Sequence, residues 1–172
     1  MFEAASQTKH EYCDGEIYAM AGGTIEHGAL IAAVTGALRQ QIPAGCTVLS
    51  SDVKIRIQAS DLSTYPDVSV VCGKPIRDER DATAITNPTV LVEVTSPSSK
   101  DYDHGEKLSH YKQLSLLRVV IIVAYDSKRI TVVERSSTGW NFIEFCSGEI
   151  ALVVEPQLQF AVDELYAVLD GL

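Results

Sequence analysis

The sequence lacks several features that would place it in a well-marked class of proteins. It contains four cysteines, but no C-x-x-C pair and no spacing typical of a zinc site. No apolar run is long enough to span a bilayer, and the first residues include no apolar segment typical of a signal peptide. We therefore expect a cytoplasmic protein without membrane association, whose four cysteines are reduced thiols, several of them buried as small apolar groups.

Motifs of several enzyme classes are also missing. The chain has no G-x-S-x-G nucleophile turn, no P-loop and no G-x-G-x-x-G fingerprint. Ser96, Ser98 and Ser99 follow a predicted strand, but they lack the flanking glycines of a nucleophile turn. These absences argue against the common serine-hydrolase, P-loop and dinucleotide-binding chemistries.

Positive charge is scarce. The chain has 14 lysines and arginines against 23 aspartates and glutamates, which gives a net charge of −9. This balance argues against broad electrostatic capture of nucleic acid, but it allows a local basic groove or an acidic site that acts through a cation. The length of 172 residues fits one domain, 1–172, and a hydrophobic fraction of 46% is ordinary for a globular protein.

Helical and extended patterns alternate along the chain. Apolar residues recur at helical spacing over 23–42, with Thr24 as the predicted N-cap. The stretch "SDVKIRIQ" alternates, which predicts an antiparallel strand with one polar face. The later segments predict buried strands in "VSVVC", "VLVEV" and "VVIIVA", a crossover helix in "KDYDHGEKLSHYKQL", a hairpin in "KRITVVERS" and "GWNFIEF", and a closing helix in "VDELYAVL". This order predicts an α/β sheet with a helix over at least one face.

A carboxylate interrupts one of the apolar strands. Glu93 lies inside "VLVEV", and an unpaired charge there would cost several kcal/mol, so a cation, a basic partner or a shifted pKa must compensate. Asp67 begins the preceding apolar strand, and pairing of the two strands would bring both carboxylates to one edge, where Mg²⁺ would join them. The alternatives are an ordinary turn aspartate and a structural ion pair of Glu93 with a lysine or arginine.

The predicted crossover helix supplies further candidates. Asp103, Lys107 and Tyr111 are four residues apart and share one helix face. Because this helix follows the Glu93 strand, it could return Lys107 to the carboxylates, where an ammonium would position water or stabilise a charged transition state. The alternative is a surface Asp–Lys pair. His27, near the start of the first helix, is either a proton shuttle or a hydrogen-bonded polar residue.

Several segments together resemble a known family. "DGEIYAMAGGTIEHGAL", "YPDVSVVCG", "NPTVLVEVTSPSS" and "YDHGEKLSHYKQLSLL" are similar, in this order, to the Uma-type restriction endonuclease family, a branch of the PD-(D/E)XK superfamily. The resemblance runs from about Glu11 to Trp140. It implies an α/β restriction-endonuclease-like core, in which helices flank a central mixed β-sheet. It also implies Mg²⁺ or Mn²⁺ bound by Asp67 and Glu93, Lys107 as the catalytic cation, and accessory positions at Glu16, His27, Asp103 and Tyr111.

The sequence departs from the superfamily pattern at some positions. Thr95 stands where the superfamily lysine is expected, and Lys107 matches the position to which this branch moves it. Arg118 and Ala124 replace acidic residues that are usual near the third apolar strand. The resemblance implies a Mg²⁺-dependent endonuclease that hydrolyses phosphodiester bonds in DNA. The alternatives are an inactive module that keeps the fold and binds nucleic acid or protein, and a homo-oligomer that pairs through the "SDVKIRIQ" strand.

Overall fold

A computed structural model describes residues 8–20, 22–96 and 103–172, with the side chains of Asp103 and His104 outside the description. The strands are β1 His10–Cys13, β2 Glu16–Ala19, β3 Cys46–Ser50, β4 Lys54–Ile57, β5 Leu62–Thr64, β6 Val68–Cys72, β7 Ala84–Ile85, β8 Val90–Val94, β9 Val119–Val123, β10 Arg129–Ser136, β11 Gly139–Cys146, β12 Ile150–Val153 and β13 Leu158–Ala161. The α-helices are α1 Ile25–Gln41, α2 Leu108–Tyr111 and α3 Val162–Tyr166. A π-helical turn covers Asp103–Lys107, and 3₁₀ turns cover Gln58–Ser60 and Ala167–Leu169.

The central sheet is mixed, as predicted. Its order is β11-β10-β9-β8-β6-β3, and β8 and β9 run parallel while the other neighbouring pairs run antiparallel. A second sheet, in the order β2-β1-β5-β4-β7, and the β12-β13 hairpin accompany it. The parallel β8–β9 pair requires a crossover, and the π turn and α2 lie within that connection.

Each face of the central sheet has its own apolar core. On one face, Leu30, Val34 and Leu38 of α1 pack with the even-numbered residues of β6 and β8. On the other face, Leu108 and Tyr111 pack with Leu91 and with residues of the second sheet. Because side chains alternate along a strand, Glu93 lies on the same face as Leu91.

Helix α1 begins as predicted. The Thr24 hydroxyl accepts a hydrogen bond of 3.2 Å from the His27 backbone N–H, which satisfies one of the free donors of the first turn. The helix ends before Pro43, which cannot donate to a further turn. The N-cap thus places His27 in the first turn, where α1 reaches the ends of β6 and β8.

The prediction for "SDVKIRIQ" is wrong in one respect. Strand β4 pairs with both β5 and β7, so it is neither an exposed edge nor a solvent-facing polar strand. Lys54 Nζ lies 2.6 Å from Asp81 Oδ2, and Arg56 is paired with Asp61. The charges that alternate with isoleucine are therefore held by ion pairs within the protein.

The prediction of four reduced thiols is wrong for two of them. Cys46 and Cys72 form a disulfide between directly opposite residues of β3 and β6, whereas Cys13 and Cys146 are free. The two bonded cysteines are 26 residues apart, and strand register alone makes them neighbours. In the described ranges, each helix is too short or too polar to cross a membrane.

Candidate active site

The buried carboxylate of Glu93 has basic and hydroxyl partners. Only 3% of Glu93 is exposed, and its Oε1 lies 3.0 Å from Lys107 Nζ. The Tyr111 hydroxyl donates a hydrogen bond to the same oxygen. The crossover connection therefore returns two polar groups to Glu93. Their contacts offset part of the free-energy cost of burying its charge.

The local backbone at Lys107 is unusual. Lys107 ends the π-helical turn, and Tyr111 ends the short helix α2 that follows. Single π turns occur often at functional sites. Burial, together with the nearby Glu93 carboxylate, raises the pKa of Tyr111 well above its ordinary value, so this hydroxyl keeps its proton and acts as a donor. Asp103 begins the π turn, but the contacts of its predicted accessory side chain lie outside the described residues.

A second carboxylate reaches Lys107 from the N-terminal strand. Glu11 Oε1 lies 3.4 Å from Lys107 Nζ, and it also accepts a hydrogen bond from the Thr64 hydroxyl. Sequence reasoning did not assign Glu11 to the site. The four residues of "HEYC" are all of intermediate burial, so no alternation in β1 marks Glu11 in the sequence.

Glu16, the predicted acidic residue of the same hairpin, lies elsewhere. It is exposed on β2 and accepts a hydrogen bond of 2.6 Å from the Tyr18 hydroxyl. It lines a separate open cleft of about 610 Å³, together with Cys13, Asp61 and His110 among others. The structure therefore does not bring Glu16 to Glu93 and Lys107.

Asp67 lies beside Glu93, directly before the neighbouring strand β6. The antiparallel register pairs Val68 with Val92, and its continuation by one residue places Asp67 opposite Glu93. Asp67 Oδ2 accepts a hydrogen bond of 2.8 Å from the Val94 N–H. Its Oδ1 has no hydrogen-bond partner among the described residues, so one carboxylate oxygen is available for a ligand.

His27 approaches the same strand end from α1. Its Nε2 lies 2.9 Å from the Val94 carbonyl oxygen and 3.5 Å from Asp67 Oδ2. With its proton on Nε2, the ring donates to the Val94 carbonyl. Two groups of predicted residues therefore lie at the ends of β6 and β8. Glu93, Lys107 and Tyr111 are joined by their side chains, whereas Asp67 and His27 contact each other and the Val94 backbone.

The donor set fits a small divalent cation. Among the described residues, Glu11 and Glu93 both contact the Lys107 ammonium, and Asp67 lies beside His27 and the Val94 N–H. Within the described ranges no three or more His, Cys, Asp or Glu side chains form a complete metal cluster. Mg²⁺ commonly uses one or two carboxylates and fills its other positions with water and substrate phosphate, so Asp67 and Glu93 are the residues here that could hold one.

Thr95, at the superfamily's lysine position, has a structural role. It is fully buried, its N–H donates to the Val123 carbonyl at 2.9 Å, and its hydroxyl accepts a hydrogen bond of 3.2 Å from the Tyr125 N–H. A lysine would lose the hydroxyl contact to Tyr125 and would place an ammonium in a fully buried position. The ammonium beside Glu93 comes instead from Lys107.

The mixed central sheet, with helices on it and acidic residues at its strand ends, defines an α/β restriction-endonuclease-like fold. The overall structure agrees with this class. It superimposes with a TM-score of 0.72 on the crystal structure of a "putative nuclease belonging to DUF820" from Anabaena variabilis, with 17% identity and coverage of 95% of this chain and 93% of that chain.

The sequence then identifies the family. Residues 2–165 match Uma2, described as "Putative restriction endonuclease", and the chain belongs to this family. An uncharacterized protein of Synechocystis sp. is 34% identical over 167 residues, which cover 96% of this chain and 87% of the relative. A second uncharacterized Synechocystis protein is 28% identical over 122 residues, or 70% of this chain and 69% of the relative.

Proposed function

We propose that this protein is a divalent-metal-dependent nuclease that hydrolyses phosphodiester bonds in DNA. The observation that carries the proposal is the buried Glu93 carboxylate, which contacts the Lys107 ammonium and lies opposite Asp67. A purely structural ion pair needs one carboxylate for each lysine. Two carboxylates on Lys107, with the Asp67 carboxylate on the neighbouring strand, form an arrangement that a divalent cation would complete.

Asp67 and Glu93 are the residues that would hold Mg²⁺ or Mn²⁺. When bound, such an ion supplies Lewis-acid activation of water and neutralises charge on a phosphoryl oxygen. Tyr111 orients the Glu93 carboxylate by donating to Oε1, and the Val94 N–H orients Asp67. His27 ties the strand end to α1 through the Val94 carbonyl.

Lys107 supplies the fixed positive charge. Lys107 is 6% exposed and its ammonium is already held against Glu93, so it would need no reorganisation when negative charge develops on the phosphate. A preorganised donor of this kind typically contributes on the order of a hundred- to a thousandfold in rate. Because the chain as a whole is acidic, phosphate recognition depends on this local charge and on the cation rather than on a broad basic surface.

Cleavage assays with matched glutamate variants test the proposal. The substrates are supercoiled plasmid and end-labelled single- and double-stranded DNA, with Mg²⁺, Mn²⁺ or EDTA. We expect metal-dependent cleavage by the wild type, loss of that cleavage in Glu93→Gln, and wild-type rates in Glu144→Gln, since Glu144 is an exposed residue of β11.

Equal cleavage by the wild type and Glu93→Gln would contradict the assigned role of Glu93. A folded wild type that binds DNA in a salt-dependent manner but cleaves none of the substrates with either metal would favour the inactive binding module instead.

A further inference from the structure

Glu11 joins the site although it is distant from the other site residues in sequence. Strand β1 pairs with β5 in a register that sets Tyr12 opposite Ser63, and its continuation sets Glu11 opposite Thr64. Side chains of directly opposite residues share one face of a sheet. The Thr64 hydroxyl therefore donates to Glu11 Oε1, which holds the carboxylate independently of its contact with Lys107.

Lys107 contacts a second carboxylate, Glu11, in addition to Glu93. One carboxylate is enough to neutralise a buried ammonium, and Glu93 already lies 3.0 Å from Lys107 Nζ. The second carboxylate, 3.4 Å from the same nitrogen, adds a further negative charge to a buried cluster. Glu11 is therefore a second anchor for an ammonium that Glu93 already contacts.

Two anchors from different sheets restrict the ammonium more than one does. A lysine side chain is a flexible four-carbon stem that ends in a point charge with three donors. Glu93 lies in the central sheet and Glu11 in the second sheet, so the Lys107 ammonium spans the two sheets between carboxylates held independently. This geometry limits rotation of the stem and fixes the position of the charge relative to Glu93.

We propose that Glu11 is a positioning residue, which together with the Thr64 hydroxyl holds the Lys107 ammonium in place at the Glu93 carboxylate. The catalytic consequence rests on the nuclease function proposed above. A misplacement of about 1 Å in a reacting constellation lowers rates on the order of a hundredfold. Loss of the Glu11 carboxylate is therefore expected to lower kcat with little change in KM.

The chain provides a matched control on the same hairpin. Glu11→Gln removes the charge and keeps the size, whereas Glu16→Gln makes the same change at an exposed residue that accepts a hydrogen bond from Tyr18. Thr64→Val removes the hydroxyl that fixes Glu11, and Thr64→Ser retains it. The readouts are the ¹⁵N-detected side-chain signal of the Lys107 ammonium, assigned by its absence in Lys107→Met, and kcat and KM for DNA cleavage.

The expected result is a shifted or broadened Lys107 signal in Glu11→Gln, with kcat reduced about ten- to a hundredfold and KM within about twofold. Thr64→Val should show a smaller effect in the same direction, while Glu16→Gln and Thr64→Ser match the wild type. A wild-type Lys107 signal in Glu11→Gln, or unchanged kcat in an active enzyme, would overturn the proposal. If the wild type cleaves no DNA, the nuclease function fails, and the ammonium signal still decides whether Glu11 positions Lys107.

Discussion

Two buried lysines of this protein have different surroundings. Lys54 in β4 is 8% exposed and pairs with one carboxylate, Asp81, at 2.6 Å. Lys107 is similarly buried, but it lies between Glu93 and Glu11, with Asp67 opposite Glu93 across the strands. The first pair tethers a loop to the second sheet, whereas the second lysine is shared by carboxylates from two sheets. The comparison teaches that the carboxylates around a buried lysine, rather than its burial, distinguish the candidate site from structural support.

The largest expected effect separates the two lysines by activity. Lys107→Met should lower DNA cleavage on the order of a hundred- to a thousandfold, because it removes a preorganised charge at the reacting phosphate. Lys54→Met should leave cleavage within about twofold, since Lys54 pairs with Asp81 elsewhere in the second sheet. Rates measured on both purified variants check this, with circular dichroism to confirm folding.

Equal losses in the two variants would show that burial alone matters. If Lys107→Met does not fold, Lys107→Arg retains a positive charge for the same comparison.

The second effect concerns the hydroxyl at Glu93. Tyr111→Phe keeps the ring in the core and removes the donor to Glu93 Oε1. A hydrogen bond to a charged group contributes about 1.5–3 kcal/mol, so we expect cleavage to fall roughly ten- to a hundredfold. Tyr12→Phe, which removes a hydroxyl that donates to the half-exposed Asp61, is the control and should leave the rate unchanged. A wild-type rate in Tyr111→Phe would remove Tyr111 from the site.

The third prediction tests whether the position of the His27 ring matters for the candidate site. A Cβ at Gly23 would lie 2.5 Å from His27 Nδ1, whereas a Cβ at Gly22 would meet nothing within 4 Å. Gly23→Ala should therefore displace the ring from Val94 and Asp67, with a cost of about 1–2 kcal/mol in unfolding free energy and slower cleavage.

Gly22→Ala makes the same chemical change one residue earlier and should match the wild type in urea unfolding and in cleavage. Identical behaviour of the two alanine variants would mean that the position of the His27 ring is unimportant.

The smallest effect concerns the acid stability that the Lys54–Asp81 ion pair contributes. Burial alone would raise the pKa of Asp81, but hydrogen bonds from Lys54 and Thr83 outweigh it and lower the pKa from 3.8 to about 2. A carboxyl with a lowered folded-state pKa stabilises the protein above its unfolded value, and this contribution is lost as pH falls from about 4 towards 2.

Because the Asp81 side chain is 35% exposed, solvent screening reduces the contribution to about 1 kcal/mol. Asp81→Asn should therefore cost about 1 kcal/mol in urea unfolding at pH 7, and that difference should shrink below pH 4. A difference between wild type and variant that is independent of pH would contradict the assigned pairing.

Much of the fold follows from local patterns. The apolar runs of β6, β8 and β9 are buried strands, Thr24 caps α1, and the β10–β11 hairpin turns where predicted. The predicted crossover helix is less regular, because its described part is a π turn followed by one short α-helix. The β12-β13 hairpin was not predicted.

The sequence by itself determined which segments are buried, and it marked Glu93 as a charge that needed a partner, because these properties depend on near neighbours in the chain. Only the tertiary structure decided that Glu11 rather than Glu16 reaches Lys107, and that Cys46 bonds to Cys72. It likewise decided that Lys54 and Lys107 have different surroundings. These outcomes depend on strand register and on the packing of two sheets, which bring together residues that are far apart in the chain.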